Sequence, residues 1–294
     1  MIKADWIAVD WGTSNLRAWA MSNECEVLGE RRSELGMSKL AYDEFEPALI
    51  DLISDWLSDA PIDVLACGMV GSRQGWVEAP YVATPCKAST ELTAVPTKDP
   101  HLKVKVLAGV KQFDPADVMR GEETQIAGYL LGRPDFDGVI CLPGTHSKWA
   151  RVQEGKIKEF QTVMTGELFA LLSKQSLLQH SLGEWDDDVF VRLSSHCLAH
   201  PEDALAQLFK IRASSLLNGC NNGVAKLSGT LIGSELAGTR SIWQDQEIVV
   251  VGMGELAGHY VRALTHVGAK ATAHKASNMT QLGLSLAYKE MKNG

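Results

Sequence analysis

Ile7-Ala8-Val9-Asp10-Trp11-Gly12-Thr13-Ser14-Asn15-Leu16-Arg17-Ala18-Trp19 is the stretch on which the fold turns. An apolar strand runs into Asp10, reverses through Gly12-Thr13-Ser14 and returns as a second strand. The reversal sets one carboxylate beside a run of backbone N–H groups and two hydroxyls. Consecutive N–H groups in such a turn form a concavity that takes anions. A carboxylate next to it makes chemical sense when a cation lies between the two. Asp10 is therefore a candidate for Mg²⁺, and Gly12, Thr13 and Ser14 are candidates for phosphate. The same residues also suit an ordinary hairpin with a polar tip, so the segment alone leaves both readings open.

The pattern recurs. Trp6 to Val9, Leu16 to Met21 and Glu26 to Ser33 read as a three-strand meander. After a Gly-Arg-Pro-Asp breaker at Gly132 to Asp135 it restarts: strand Val139 to Leu142, turn Pro143 to Ser147, strand Lys148 to Val152, turn Gln153 to Lys156, strand Ile157 to Met164. A duplicated core explains both halves, with domains at 1–134 and 135–294. Between the meanders, apolar residues at Phe45, Leu49, Leu52, Ile53, Trp56 and Leu57 have helical spacing over 43–57. Asp63 to Cys67 reads as a buried strand, Tyr81 to Val110 as extended chain, and Val118 to Leu131 as a helix. The second half predicts helices over 166–173, 188–199, 203–218 and 226–239. A strand at 248–251, a helix to 264, a short strand at 269–273 and a helix over 277–291 follow.

Composition narrows the class. The 294 residues favour about two domains. A 45% hydrophobic and 22% charged content fits a soluble globular chain with a sizeable core. The net charge of −8 argues against a nucleic-acid surface, yet a few local Arg and Lys still permit an anionic small substrate. Six scattered cysteines without a CxxC pair read as reduced thiols of a cytosolic protein. No secretory signal is evident, and no apolar run approaches the roughly 20 residues that cross a bilayer.

Three more constellations carry chemistry. Pro143-Gly144-Thr145-His146-Ser147-Lys148 repeats the donors of the first turn and adds a cation. Val251-Gly252-Met253-Gly254 leads a strand into a helix, so backbone can approach a ligand closely. It also looks like the dinucleotide fingerprint, with two features against that reading: the third glycine falls one place late, and the acidic residue wanted about 20 positions on is missing. Arg120-Gly121-Glu122-Glu123 opens a helix, where Glu122 suits either proton acceptance or a favourable dipole contact. In Gly71-Ser72-Arg73, the guanidinium offers a planar fork for a carboxylate, or simply a solvated loop residue. His196 and His200 are four apart but lack a third ligand, and read as a helix face. Walker A and GxSxG patterns are absent.

The ordered set resembles the sugar-kinase, Hsp70 and actin superfamily. Asp10 with Gly12 to Ser14 is similar to its first phosphate motif, Leu142 to Lys148 to its second, and Val250 to Gly258 to its adenosine motif. Val9 to Arg17, Arg120 to Gln125 and Leu142 to Trp149 further resemble the 2-dehydro-3-deoxygalactonokinase family. The resemblance implies an α/β, two-domain actin/hexokinase-like (ribonuclease H-like) fold with a central inter-domain cleft. It implies ATP and Mg²⁺ as cofactors, a sugar acid phosphorylated at its C6 hydroxyl, no nucleic-acid or membrane partner, and room for a homodimer. It also implies roles: Glu122 as base with Glu123 as fallback, Asp10 in the Mg²⁺ shell, and Gly12, Thr13, Ser14, Gly144 and Thr145 on the phosphates. Arg17 and Lys148 become secondary phosphate contacts, Gly252 and Gly254 line the adenosine, and Ser72 and Arg73 face the substrate. The rival readings are a kinase of another sugar or sugar acid on the same fold, a non-catalytic nucleotide-switched sensor or assembly protein of that fold, and a nicotinamide oxidoreductase built on Val251 to Gly258.

Overall fold

The computed structural model describes residues 3–88 and 91–293. In chain order the elements are β1 (Trp6–Trp11), β2 (Leu16–Met21), β3 (Val27–Ser33), α1 (Phe45–Ile53), β4 (Ile62–Cys67), β5 (Tyr81–Ala83), β6 (Leu92–Ala94), β7 (Leu102–Leu107), β8 (Gly109–Phe113), β9 (Ala116–Met119) and α2 (Glu122–Gly132). They continue with β10 (Gly138–Leu142), β11 (Ser147–Gln153), β12 (Lys156–Val163), α3 (Thr165–Gln175), α4 (Asp187–Ala199), α5 (Ala204–Asn218), α6 (Gly223–Gly238), α7 (Arg240–Trp243), β13 (Glu247–Gly252), α8 (Gly254–His266), β14 (Lys270–Lys275) and α9 (Ala276–Asn293). The expected extended segment 81–110 becomes β5, β6, β7 and the start of β8; its residues 89 and 90 lie outside the described residues.

Two compact units form: residues 1–136 with 154–158 and 276–294, and residues 137–153 with 159–275. The first is built on a six-stranded sheet in the order β3-β2-β1-β4-β7-β6. β1 is antiparallel to β2 and parallel to β4. Alternation along β1 feeds two cores. Ile7, Val9 and Trp11 pack with Phe45, Leu49 and Ile53 of α1, whereas Trp6 and Ala8 pack with Leu284, Ala287 and Tyr288 of α9. That double burial is why β1 reads as a nearly continuous apolar run. The edge strand β3 is largely exposed and carries Glu30, Arg31 and Arg32, charges that discourage edge pairing.

Sequence order alone would place 276–294 with the second half, yet α9 packs in the first unit. Trp6 and Tyr288 stack at 4.3 Å with planes 7° apart. A Cβ on Gly128 of α2 would come within 1.9 Å of the Met279 carbonyl oxygen, and one on Gly283 within 2.0 Å of that of Thr124. The two helices thus cross backbone against backbone.

The expected helix over 118–131 also divides. Val118 and Met119 belong to β9, paired with β8. Gly121 takes φ +107°, which ends the strand and delays the helix to Glu122.

The second unit repeats the plan with the sheet order β12-β11-β10-β13-β14. β10 pairs antiparallel with β11 and parallel with β13, as β1 does with β2 and β4. Its core joins Val139, Cys141, Trp149, Ile248 and Val250 to Phe190, Tyr260 and Leu264 from the helices.

Candidate active site

In the first unit the hairpin tip is braced from outside. Gly12 N–H donates to the Asn15 carbonyl (2.9 Å), while the Gly12 and Thr13 carbonyls accept from the Met37 and Ser38 N–H groups (2.9 and 3.0 Å). Gly36 is required there, because a Cβ would sit 2.2 Å from the Ser14 carbonyl carbon. Thr13, Ser14 and Asn15 are left exposed. Asp10 ends β1 half-buried, facing Cys67 of β4 and Arg17 of β2 in register. Burial pushes its carboxyl pKa up, and the Arg17 charge partly opposes the rise. Arg17 also pairs with Glu30 at 3.7 Å and lies over the Trp19 ring.

The chain leaves β4 through Gly68, at φ +93°, whose added Cβ would stand 2.8 Å from the Trp11 carbonyl oxygen and 3.6 Å from Asp10 Oδ1. A Cβ on Gly121 would stand 3.2 Å from Gly68 Cα. These close approaches bring the start of α2 to the end of β1. Glu122 is half-buried, and its Oε2 accepts from the Arg120 N–H at 3.0 Å. Glu123 is fully buried, and both of its oxygens accept from the Gly121 N–H (2.8 and 2.7 Å). Burial, then the Glu122 charge, pushes Glu123 up to about 7. The Cys67 thiol is pushed up by its own burial and then by the charges of Asp10, Glu123 and Glu122. The Asp10–Cys67 register and the close approach of Gly121 to Gly68 thus bring the three carboxylates to the same end of β4. Sequence reasoning missed Cys67 and Arg120; the strand-end position of Cys67 opposite Asp10 was the available signal. Ser72 is buried and Arg73 exposed, so the two face different surroundings.

In the second unit the corresponding turn, Pro143 to His146, lies against α3. A Cβ on Gly166 would fall 2.1 Å from the Gly144 carbonyl oxygen, and Glu167 N–H donates to the Thr145 carbonyl at 2.9 Å. His146 and Glu167 side chains meet at 2.5 Å. Gly252 brings the exit of β13 beside this turn: a Cβ there would reach 3.2 Å from Pro143 Cγ. Gly254, at φ +55°, then starts α8 with open space around it. Lys148 is buried with its Nζ donating to Thr162 Oγ1 at 2.8 Å.

Within the second unit, beside the Gly144 turn, lies a cavity of about 560 Å³, lined by Gly144, Thr145 and Gly166 from the turn side and by Trp185, Glu255 and His259 among others. Its walls are mostly apolar with a few convergent polar groups, the usual character of a small-molecule site. Trp185 and His259 stack at 4.0 Å. Burial, then Arg262, pushes the His259 pKa down, which favours the neutral ring. Glu255 and His259 are one helical turn apart on α8, so that pair was legible from the helix prediction; Trp185 and Gly166 were not. Beneath the turn, buried Glu235 accepts from Trp149 Nε1 (2.7 Å), Tyr260 Oη (2.6 Å) and Ser147 Oγ (3.4 Å). His196 and His200, the metal-like pair, instead meet Asp203 (2.9 Å) and Glu202 (3.3 Å).

A twice-used sheet, with a donor-rich hairpin and a glycine exit in each copy, defines the two-domain actin/hexokinase-like fold. The fold is shared with component A of the (R)-2-hydroxyglutaryl-CoA dehydratase of Acidaminococcus fermentans (TM-score 0.54, 12% identity, 98% of each chain covered). Within it the likeness to sugar kinases is much stronger. The family described as 2-keto-3-deoxy-galactonokinase matches residues 10–287. A 2-dehydro-3-deoxygalactonokinase of Escherichia coli (strain K12) is 35% identical over 97% of this chain and 98% of its own. A Rhizobium meliloti (strain 1021) protein named a probable 2-dehydro-3-deoxygalactonokinase is 37% identical over 95% of each. A Sinorhizobium meliloti crystal structure assigned to the same kinase superposes with TM-score 0.91 at 36% identity, covering 97% of this chain and 99% of that one. The chain belongs to the 2-keto-3-deoxy-galactonokinase family and is a carbohydrate kinase. These comparisons give no support to an oxidoreductase.

Proposed function

We propose that this kinase transfers the γ-phosphoryl group of ATP, with Mg²⁺, to the C6 hydroxyl of 2-dehydro-3-deoxy-D-galactonate in galactonate breakdown. The observation that carries the reading is the glycine-built junction of β1, β4 and α2, which brings Asp10, Glu122 and Glu123 to one end of the sheet, in a chain matching this kinase family almost end to end. Phosphoryl transfer asks mainly for positioning and charge neutralisation. Glu122, half-buried and held by the Arg120 N–H, would orient the acceptor hydroxyl and take its proton. Glu123, with both oxygens tied to the Gly121 N–H, would hold the turn rather than touch substrate.

Among the described residues no three His, Cys, Asp or Glu side chains gather as a metal cage. Asp10, a single carboxylate beside the exposed hairpin tip, would suit an ion that keeps several waters and takes its remaining ligands from phosphate, as Mg²⁺ does. Bound there, Mg²⁺ would neutralise phosphate charge. Gly12, Thr13, Ser14, Gly144 and Thr145 would donate to phosphate oxygens, with Arg17 and Lys148 as supporting cations. Gly252 and Gly254 would let backbone approach the adenosine, and the Trp185–His259 cavity would take its base. Ser72 and Arg73 would line the sugar-acid side. Cytoplasmic residence accords with six free cysteines, and among the described residues no helix is long and apolar enough to cross a membrane.

The test is ADP release from Mg-ATP over a panel of sugars and 2-keto-3-deoxy acids. The expected result is the highest kcat/KM with 2-dehydro-3-deoxy-D-galactonate, lost on chelation of Mg²⁺. A neutral hexose turned over as well or better would overturn the assignment.

A further inference from the structure

Arg120 is the most unusual buried group in the first unit. It is 7% exposed, and Nη1 has no hydrogen-bond partner. The partners the guanidinium does have are neutral: Nη2 donates to the Ala79 carbonyl at 2.7 Å, Nε to Tyr81 Oη at 3.4 Å, and the Tyr81 ring lies 4.2 Å from its carbon. Burying a cation without an anion is among the costliest arrangements in a folded chain. The surrounding loop is nevertheless built for it. Gly71 makes the room, since a Cβ there would stand 2.9 Å from Nη1. The next residue, Ser72, is 6% exposed, and its hydroxyl is likewise unpartnered. Two buried donors thus lack acceptors, one on the Gly71–Ser72 loop and one on the residue packed against Gly71. The same Arg120 supplies the N–H that holds Glu122.

We infer that Arg120 Nη1 and the Ser72 hydroxyl bind the C1 carboxylate of the sugar acid, so that one residue anchors the acid end by its side chain and steadies the base by its backbone. This rests on the proposed reading that the substrate is a sugar acid phosphorylated through Glu122. A planar guanidinium suits a carboxylate better than an ammonium does. The turn from Ser72 to Gly75 is closed by the Gly75 N–H donating to the Ser72 carbonyl and has exposed Arg73 and Gln74 at its tip. Arg73 is thereby the outer contact and Arg120 the discriminating one. Sites that hydrogen-bond a substrate group reject analogues lacking it.

The experiment compares 2-dehydro-3-deoxy-D-galactonate with its neutral C1 carboxamide in the full-length enzyme, by KM with ATP saturating and by equilibrium binding. Wild type is expected to prefer the acid at least tenfold. Arg120→Met should raise KM for the acid at least tenfold, abolish the preference, and leave KM for ATP within twofold. A preference retained in Arg120→Met overturns the inference, and would leave Arg120 a brace for Ala79 and Tyr81. Should Arg120→Met fail to fold, Ser72→Ala decides: it should weaken the acid severalfold and the carboxamide not at all, and equal effects on both overturn the inference. Wild type turning over acid and carboxamide alike removes the anchor but keeps the kinase reading. Wild type inactive on the acid removes the proposed substrate itself, and with it the reading on which this inference rests.

Discussion

The two units share a strand plan and differ in what surrounds their buried carboxylates. In both, a central strand runs into a donor-rich hairpin and pairs with a parallel neighbour that exits through glycine. In the first unit, β4 leaves through Gly68 into a loop. The acids beside it, Asp10 and Glu123, are pushed up by burial; the Arg17 charge opposes the rise at Asp10, whereas at Glu123 the neighbouring Glu122 charge adds to it and the Gly121 N–H and Thr124 hydroxyl oppose it. In the second, β13 leaves into α8, and the buried acid Glu235 is also pushed up by burial, but Thr165, Tyr260, Trp149 and Ser147 all donate to it and oppose the rise. The first copy sets like charges together and leaves Arg120 Nη1 and the Ser72 hydroxyl without partners, and the second surrounds a single acid with neutral donors. Under the proposed function, the contrast would separate a place where charge and protons are handled from a place where a ligand is held. Unmet polar groups store free energy that a bound substrate can release, whereas a satisfied network rigidifies its surroundings.

The strongest way to break the contrast is Glu122→Gln. The variant keeps the shape and the acceptor for the Arg120 N–H but cannot take a proton. Loss of a general base costs about 10²–10⁴-fold in rate, so kcat should fall by that much with ADP release as the readout and an unchanged melting temperature. Turnover within a few-fold of wild type would remove Glu122 from the chemistry and leave the first unit without its special role.

Glu123→Gln sharpens the same contrast through pH. The folded pKa of Glu123, about 7, lies above its unfolded value near 4.5. The native state therefore holds a proton that the unfolded chain has lost, and stability falls as pH rises from 4.5 through 7. The full cost, on the order of 3 kcal/mol, is reached above pH 7. Glutamine imitates the protonated acid and escapes it. Denaturant melts should show wild type and variant similar near pH 4.5 and the variant more stable at pH 8. Parallel profiles would mean that the buried carboxylate is ionised without penalty.

Much of this was legible in the sequence, for a physical reason: hairpins, meanders and amphipathic helices are written in local alternation. The turns at Gly12 and Gly144, the strands flanking them and the exit at Gly252 all follow from short-range pattern. What was not legible depends on distant approach. No local signal says that Tyr288 will stack on Trp6, or that Gly128 and Gly283 will let α2 and α9 touch; packing, not a single cut near residue 134, decides where 276–294 belongs. Glu122 and Glu123 are adjacent in sequence, and only the fold buries one more deeply than the other. Residues 118–121 carried a helical pattern but were claimed by β8 and by the positive φ of Gly121. The Trp185–His259 wall joins segments too far apart for spacing to relate them.

The subtlest test lies in the second unit. Glu235→Gln keeps one oxygen for Trp149 Nε1 and sets an amide against Tyr260 Oη and Ser147 Oγ, hydroxyls that can turn and accept. Replacing charge-assisted bonds by neutral ones costs about 1–2 kcal/mol. If the network holds the Gly144 turn, part of that loss should appear as a severalfold rise in KM for ATP, with KM for the sugar acid and the pH dependence of kcat unmoved, because the acids of the first unit are untouched. A lower melting temperature with unchanged KM for ATP would make Glu235 a fold residue alone. A shifted pH profile would instead show that the two units do not divide the work between charge handling and ligand holding.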